Sequence, residues 1–425
     1  MNRPSIRLTA HRAARRNLTL DLVAAVGIGV TGALVTSLLP TIARREGLEP
    51  IGLAALGAAP FVANLFGAFA GRIGPRSPRS LSVVRLLGAA ALIAVVAAPV
   101  APVMVGVAVA FWLSLSLGGP FHLRLWGAMY PSEMRGRVVG ILGMGRAAAA
   151  ALAALAGGLI ADRLGGPMAV AAAGAVGAAC ALAYCGFRAP GAPAAVSFTA
   201  REAFRALREQ PSLRRLALAQ GFYGGGLIAA VPLYALVNVD RLDLSLAQVG
   251  VLGVLAAGAT TLAFPLWGLV SDRFGALRGL RVGALLGVVS LTGYAFAPDV
   301  AVLWLAVVCA GAASAATDVG IAAIVSEQTT LASRAPAMAG WNAITGARGI
   351  VAAFLMSSLV QAGVIDVTGG LLACAAAAGI GLVLFLGARP GVPVDTRPWE
   401  VAALVPVARA AQSTAAATTT PAGVG

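Results

Sequence analysis

Four ionisable side chains stand out within the long apolar runs of the sequence, and their chemistry is the first guide to function. They are Arg124, Arg146, Asp318 and Arg348. A charged side chain at the centre of a membrane span costs roughly 2.5–3.5 kcal/mol even on a lenient insertion scale, so it requires a reason. A carboxylate in that position can exchange a proton, and two guanidinium groups can hold an anion through paired hydrogen bonds. These residue types therefore favour reversible binding of ions and small solutes.

Arg124 and Asp318 occupy equivalent places in a chain that repeats itself. The motifs Ser132-Glu133 and Ser326-Glu327 end the two apolar runs, and this register aligns the arginine with the carboxylate. We expect the pair either to open for solute or proton binding, or to form a static ion pair between two helices. Asp318 is the only carboxylate that the sequence places well inside a run, so it is our candidate for proton coupling.

Arg146 and Arg348 form a second matched set, because each has a glycine beside it in the fifth and eleventh runs. At 1.5 Å per residue they lie roughly 13–18 Å from the predicted inner ends of their helices, close to the bilayer midplane. We expect them either to bind a carboxylate or phosphate group of a solute together, or to satisfy buried carbonyl groups or Asp318.

The elements that must position these residues are membrane helices. Hydrophobic residues make up 59% of the 425 residues and charged residues 11%, whereas a soluble domain has roughly 25% charged residues. The apolar residues fall in blocks near the roughly 20 residues that a helix needs to cross a bilayer. The runs predict twelve helices, at 18–42, 51–71, 81–99, 102–130, 138–161, 167–187, 213–238, 245–271, 282–298, 300–326, 336–362 and 368–387.

The arginines predict the orientation of these helices. The net charge is +15, and positive residues collect on the cytoplasmic side of membrane proteins. With both termini inside, the outer loops contain only Arg44, Arg45, Arg163 and Arg241. We therefore expect a multi-pass protein of the cytoplasmic membrane. Its predicted parts are an N-terminal segment (1–17), a six-helix bundle (18–187), a linker with a short amphipathic helix (188–212), a second bundle (213–388) and a disordered tail (389–425).

One loop signature occurs in both halves. Gly268, Asp272, Arg273 and Gly275 stand between two apolar runs in the pattern G-x-x-x-D-R-x-G. Gly268 would let neighbouring helices approach closely, and Gly275 would permit a sharp turn with positive φ. At one common offset, the first half repeats this loop with Gly67, Arg72 and Gly74.

The loop between two spans, repeated at half-length, resembles the signature of the major facilitator superfamily. The resemblance implies an all-α membrane protein with twelve transmembrane helices in two pseudo-symmetric six-helix bundles, and ion pairs at the loops that gate one side. It also implies that the first, fourth, seventh and tenth helices line a central cavity, where Arg124 and Asp318 would face each other. Further residues expected to line it are His122, Trp126, Gln220, Tyr223 and Asn342.

The sequence thus predicts a secondary transporter that moves a small organic solute by alternating access between its halves. Proton-coupled efflux is the first expectation. The alternatives are uptake of a small organic anion, or a membrane sensor or assembly protein that does not transport. We expect a monomer in contact with lipids, with no cofactor, metal or nucleic acid. No catalytic motif is present, so an enzyme is not expected.

Overall fold

The computed structural model describes residues 3–67, 74–130, 132–188, 200–209 and 211–388. Its first half has six helices. Helix α1 is Arg3–Ala33 and continues through a π-helical turn, Leu34–Leu38, into Leu39–Arg45. The others are α2 (Pro50–Gly67), α3 (Pro78–Ala94), α4 (Ala101–Met129), α5 (Ser132–Leu164) and α6 (Gly166–Ala181, extended by a 3-10 turn at Leu182–Gly186).

The second half begins with a short linker helix, α7 (Ala200–Arg208), which packs against α12 and α8. A short helix thus lies within the predicted linker, whereas its predicted capping residue Thr199 and the tail 389–425 lie outside the described residues. The remaining helices are α8 (Pro211–Leu236, with a π-helical turn at Val237–Arg241), α9 (Leu246–Phe274), α10 (Ala276–Phe296), α11 (Val300–Gln328), α12 (Leu331–Gln361) and α13 (Val367–Gly387).

The described residues contain helices and no strands. A membrane favours this, because lipid cannot satisfy backbone N–H and C=O groups and a helix pairs them within one segment. Ten described helices are long and apolar enough to cross a membrane, and Pro50–Phe66 is a shorter apolar helix. Helix α3 has 17 residues. Helix α1 already begins at Arg3, so the predicted N-terminal segment is helical rather than separate from the first span.

The two halves use the same helix pairings. In the first half α1 packs on α5 and α6, α2 packs on α4, and α3 packs on α4 and α6. In the second half α8 packs on α12 and α13, α9 packs on α11, and α10 packs on α11 and α13. The repeat seen in the sequence is therefore a repeat of architecture, and the prediction of two pseudo-symmetric bundles is confirmed.

The halves hold each other at one end of the bundle. We call this the far end, and the opposite end, which carries linker helix α7, the linker end. At the far end Arg44 pairs with Asp240 at 2.8 Å, and Gln361 donates a hydrogen bond to Glu49 at 2.7 Å. The Asp162 carboxylate accepts hydrogen bonds from the first two backbone N–H groups of α9. Among the described residues, every hydrogen bond between the halves lies at this end.

Candidate functional site

A polar cavity lies within the second half, among α8, α11 and α12. It encloses about 230 Å³, whereas one water needs only about 10–15 Å³, so the cavity has room for a small organic molecule. Four residues predicted from the sequence line it together: Asp318, Arg348, Gln220 and Asn342. The other lining residues are Thr317, Ile321, Ala322, Met338, Trp341 and Thr345.

Arg348 is half-buried and held against α8. Its Nη1 donates a hydrogen bond to the backbone carbonyl of Gln220. Its guanidinium rests where α8 has no side chain: a Cβ placed on Gly224 would lie 2.8 Å from Arg348 Nη2. The Nε of Arg348 is buried and has no hydrogen-bond partner. Arg348 thus satisfies a buried carbonyl, one of its two expected roles, and retains a free donor.

Two acceptors of the cavity are also without partners. The Gln220 side chain is 5% exposed, and its Oε1 has no donor. Asp318 is exposed to the cavity side and makes no hydrogen bond or ion pair within the described part of the chain. A buried polar atom without a partner costs about 1–3 kcal/mol, so this cavity suits water or a solute that supplies the missing partners.

Arg124 and Arg146 do not join this cavity. Arg124 lies in the first half with its Cζ 5.5 Å from the centre of the Phe121 ring, and its Nε has no partner. No ion pair links it to Asp318. The side chain of Arg146 is exposed, and its backbone packs against Gly29 of α1. The structure therefore separates the members of both predicted pairs in this conformation.

A buried carboxylate in the first half corrects the sequence analysis, which placed only Asp318 well inside a span. Asp21 of α1 is 0% exposed. It accepts hydrogen bonds from Trp126 Nε1 at 2.6 Å and Tyr130 OH at 3.3 Å, and its Oδ1 lies 2.8 Å from His122 Nε2. His122 and Trp126 lie four residues apart on one face of α4, and Tyr130 follows four residues later, immediately after the end of the helix. That polar stripe is the signal that could have revealed an acidic partner.

The same contacts place His122 and Trp126 away from the described cavity. Their rings pack in the first half, where His122 also contacts Tyr184 and Phe187 at the end of α6. Both rings therefore belong to a polar cluster of the first half and lie outside the cavity described above. The physical reason is Asp21, whose carboxylate draws both ring N–H groups toward α1.

Tyr223 is also placed outside the cavity, although Gln220 lies one helical turn earlier. Its side chain is fully buried, and its hydroxyl donates to the backbone carbonyl of Gly283 at 3.3 Å. A Cβ added at Gly287 would lie 2.9 Å from this ring, and the ring contacts Phe385. Glycines of α10 and α13 leave room for the ring, which packs there rather than against α11 and α12.

Arg85 is a further charged residue that the sequence analysis did not single out, although it lies within the predicted helix at 81–99. It lies in α3, is 8% exposed, and donates a hydrogen bond to the backbone carbonyl of Ser114 at 3.0 Å. Gly118 leaves room for its guanidinium. A cavity of about 20 Å³ beside it has room for about one water.

The second copy of the predicted loop is described in full. Gly275 ends α9 with a φ of +86°, as predicted for this turn. Asp272 and Arg273 are exposed at the linker end and form no ion pair with the described residues. The prediction for Gly268 is wrong in this conformation: a Cβ there would meet no atom within 4 Å. Gly268 faces away from the neighbouring helices, whereas Trp267 beside it donates a hydrogen bond to the backbone carbonyl of Ala312 on α11.

Of the first copy, only the flanking glycines are described. Gly67 ends α2, and Gly74 lies in a bend before α3. Arg72 lies outside the described residues, so the two loops are compared only at their edges.

The sequence and the fold were compared with those of known proteins. A family model described as Major Facilitator Superfamily matches residues 216–422. The match covers just under half of the chain, so in sequence it is the second half that is similar to the major facilitator superfamily. No curated protein sequence matches it closely enough to count as a relative.

Solved structures of major facilitator proteins share the fold over nearly their whole length. A variant of the nucleoside transporter NupG has a TM-score of 0.70 at 15% identity, covering 88% of this chain and 99% of that one. The human organic anion transporter MFSD10 has a TM-score of 0.61 at 15% identity, with the same coverage of both chains. The POT family transporter PepTSo has a TM-score of 0.68 at 10% identity, covering 89% and 97%. At these identities the likeness shows the fold alone.

Proposed function

We propose that this protein is a proton-coupled transporter that exports a small organic solute across the cytoplasmic membrane by alternating access. One observation carries the proposal. A polar cavity with an unpaired carboxylate and a guanidinium lies inside membrane helices, in a protein whose halves hold each other at one end. Transporters of this architecture bind their solute near the midplane and move one half against the other.

The distribution of arginine supports a cytoplasmic linker end. Short loops at the far end hold few arginines, as the sequence predicts, whereas the linker end carries loop residues such as Arg273 and the α7 residues Arg201 and Arg208. Under the positive-inside rule, the present conformation is therefore closed outside and open to the cytoplasm. An exporter would load its solute from the cytoplasm in this state.

Asp318 is the proposed coupling residue. It faces the cavity and has no partner within the described part of the chain, so it can take up a proton or bind a solute without first breaking an ion pair. In the transport cycle a proton entering from outside would neutralise Asp318, and its release inside would restore the charge.

Uptake of a small organic anion is the second candidate, and the free Nε of Arg348 favours it. Export and uptake differ only in which gradient drives the halves, so both use the same cavity. A sensor that does not transport is less well supported, because bulky apolar side chains would be expected to fill its cavity. We propose further that the protein acts as a monomer surrounded by lipid.

Everted membrane vesicles from producing cells test the proposal. A mixed panel of small organic solutes is added outside, and uptake is measured by mass spectrometry with and without an imposed pH gradient. We expect at least one solute to accumulate only with the protein and only with the gradient, and Asp318→Asn to abolish the effect of pH. The matched control is Glu46→Gln at the exposed far end, which should transport normally. A panel on which wild-type and empty vesicles agree would refute transport, and unchanged pH dependence in Asp318→Asn would refute the coupling role.

A further inference from the structure

The cavity of the second half presents opposite charges that the protein itself leaves unpaired. Asp318 and Arg348 both line it, yet no ion pair joins them. The guanidinium is held instead by α8, where it donates a hydrogen bond to the backbone carbonyl of Gln220 and lies against Gly224.

The unpaired atoms of the cavity are of two kinds, acceptors and a donor. The accepting atoms are the Asp318 carboxylate and Gln220 Oε1. The donating atom is Arg348 Nε, which is buried and lacks an acceptor. A ligand that pairs with both kinds of atom must carry N–H donors at one point, best as a cationic amine. At another point it must carry an oxygen acceptor, best as a carboxylate.

The rest of the wall combines apolar side chains with the neutral polar groups of Thr317, Asn342 and Thr345. Trp341 and Ile321 are buried, and Met338 is half-buried. These three side chains offer an aromatic face and flexible apolar contacts, and none of them carries a charge. The volume of about 230 Å³ limits the ligand to a small molecule.

We propose that the solute bound here is a small amphipathic zwitterion, with its amine toward Asp318, its carboxylate toward Arg348 and its apolar part against Trp341. This inference rests on the proposed transport function and adds the substrate class to it. A solute with a single charge pairs with either Asp318 or Arg348 and leaves the other group unpaired. The site should therefore bind such a solute more weakly than a zwitterion.

Matched compounds test the substrate class. Each of three sets holds one apolar group constant and varies the charge: tryptophan, tryptamine and indole-3-propionate; phenylalanine, phenethylamine and 3-phenylpropionate; and leucine, isoamylamine and 4-methylpentanoate. Binding to the purified full chain is measured at pH 7 by thermal shift and calorimetry. In at least one set the zwitterion should bind at least tenfold tighter than both of its partners.

Two variants assign the ends of the ligand. Asp318→Asn should weaken the zwitterion and the amine more than tenfold and leave the carboxylate within about twofold. Arg348→Gln should do the reverse, and Arg163→Gln, at an exposed arginine of α5, should change none of them. The order of affinities among the three charge types is measured on the wild-type protein, so this part of the test does not depend on whether a variant folds. An order in which no zwitterion exceeds its partners, or equal losses for all three charge types in both variants, would overturn the proposal.

The vesicle panel keeps the two proposals separate. If solutes of another class accumulate while no zwitterion binds, the substrate class is wrong and transport stands. If zwitterions bind but no solute accumulates, the site stands and the transport proposal fails.

Discussion

A methyl group added at Gly224 should displace the guanidinium of Arg348. The new Cβ would lie 2.8 Å from Arg348 Nη2 and 2.9 Å from Gln220 Nε2, closer than carbon and nitrogen atoms normally approach. Both obstructing groups are ends of side chains, so they would move rather than the helices. The hydrogen bond from Arg348 to the Gln220 carbonyl would be lost, and the guanidinium would be free to reach Asp318.

Gly225 provides a matched control in the next position of the same helix. Its added Cβ would meet Arg348 only at 3.8 and 3.9 Å, which is ordinary contact. Replacing glycine by alanine within a helix gains about 0.5–1 kcal/mol, so Gly225→Ala should be slightly stabilising. Gly224→Ala gains the same amount but loses a charged hydrogen bond worth about 1.5–3 kcal/mol. The two variants should therefore differ by about 1.5–3 kcal/mol in the free energy of unfolding.

Thermal unfolding in detergent measures this difference, at about 2–4 °C per kcal/mol for a unit of 150–250 residues. Gly224→Ala should melt several degrees below Gly225→Ala. It should also lose binding of the zwitterion that the wild type prefers, because an Arg348–Asp318 pair would occupy both charged groups of the cavity. Equal melting temperatures, or a Gly224→Ala variant that binds as the wild type does, would show that Gly224 does not hold the two charges apart.

Three further variants test contacts outside this cavity. Asp21→Asn should lower the free energy of unfolding by about 1–3 kcal/mol, because a buried acceptor with three partners is replaced; an unchanged melting temperature would refute its structural role. The second variant, Asp162→Asn, is tested with a reporter cysteine at Ser37, which lies beside α9, in a protein without the four native cysteines. Asp162→Asn should speed the reaction of this cysteine with maleimide. An unchanged labelling rate would show that Asp162 does not hold the far end closed. Asp240→Asn should shift the melting temperature by less than about 2 °C, since its pair with Arg44 is partly exposed and such pairs contribute about 0–1 kcal/mol; a larger loss would contradict this.

The helices, their repeat and their turns could be predicted from the sequence because the bilayer leaves few alternatives. A span must be helical and apolar, and its end must be marked by polar or flexible residues. Gly275 shows how local this information is, since its positive φ follows from one glycine after an apolar run. The Asp162 contact shows the limit. It caps α9 from the other half of the chain, and no local pattern predicts its partner.

The position of a residue along its helix axis could be predicted from the sequence, but the neighbour that its side chain faces could not. The register aligned Arg124 with Asp318 and Arg146 with Arg348, yet only Asp318 and Arg348 share a cavity. The direction of a side chain depends on how each helix is rotated against its neighbours, and this is set by distant small residues. Gly224 makes room for Arg348 on α8, whereas Arg124 lies over Phe121 of its own helix.

Arg85 shows the same limitation for burial. Its place near the start of an apolar run is typical of a residue that anchors a helix at the membrane surface. The structure instead encloses it, because Gly118 leaves space and the Ser114 carbonyl accepts its hydrogen bond. Both partners lie on α4, so the burial of this charge is a property of the packed pair of helices.

The far-end interface is built in a way that suits repeated opening. Gly158 of α5 lies against the backbone of α9, where an added Cβ would be 2.9 Å from Ala247 Cα, and Gly250 of α9 lies equally close to the backbone of Ala154. Such contacts give close packing with few side chains to rearrange. The polar contacts beside them are partly exposed, so water can replace each one when it breaks. The free energy that separates closed from open states at this end can therefore be small, and a change of charge in the cavity has the magnitude needed to shift the balance.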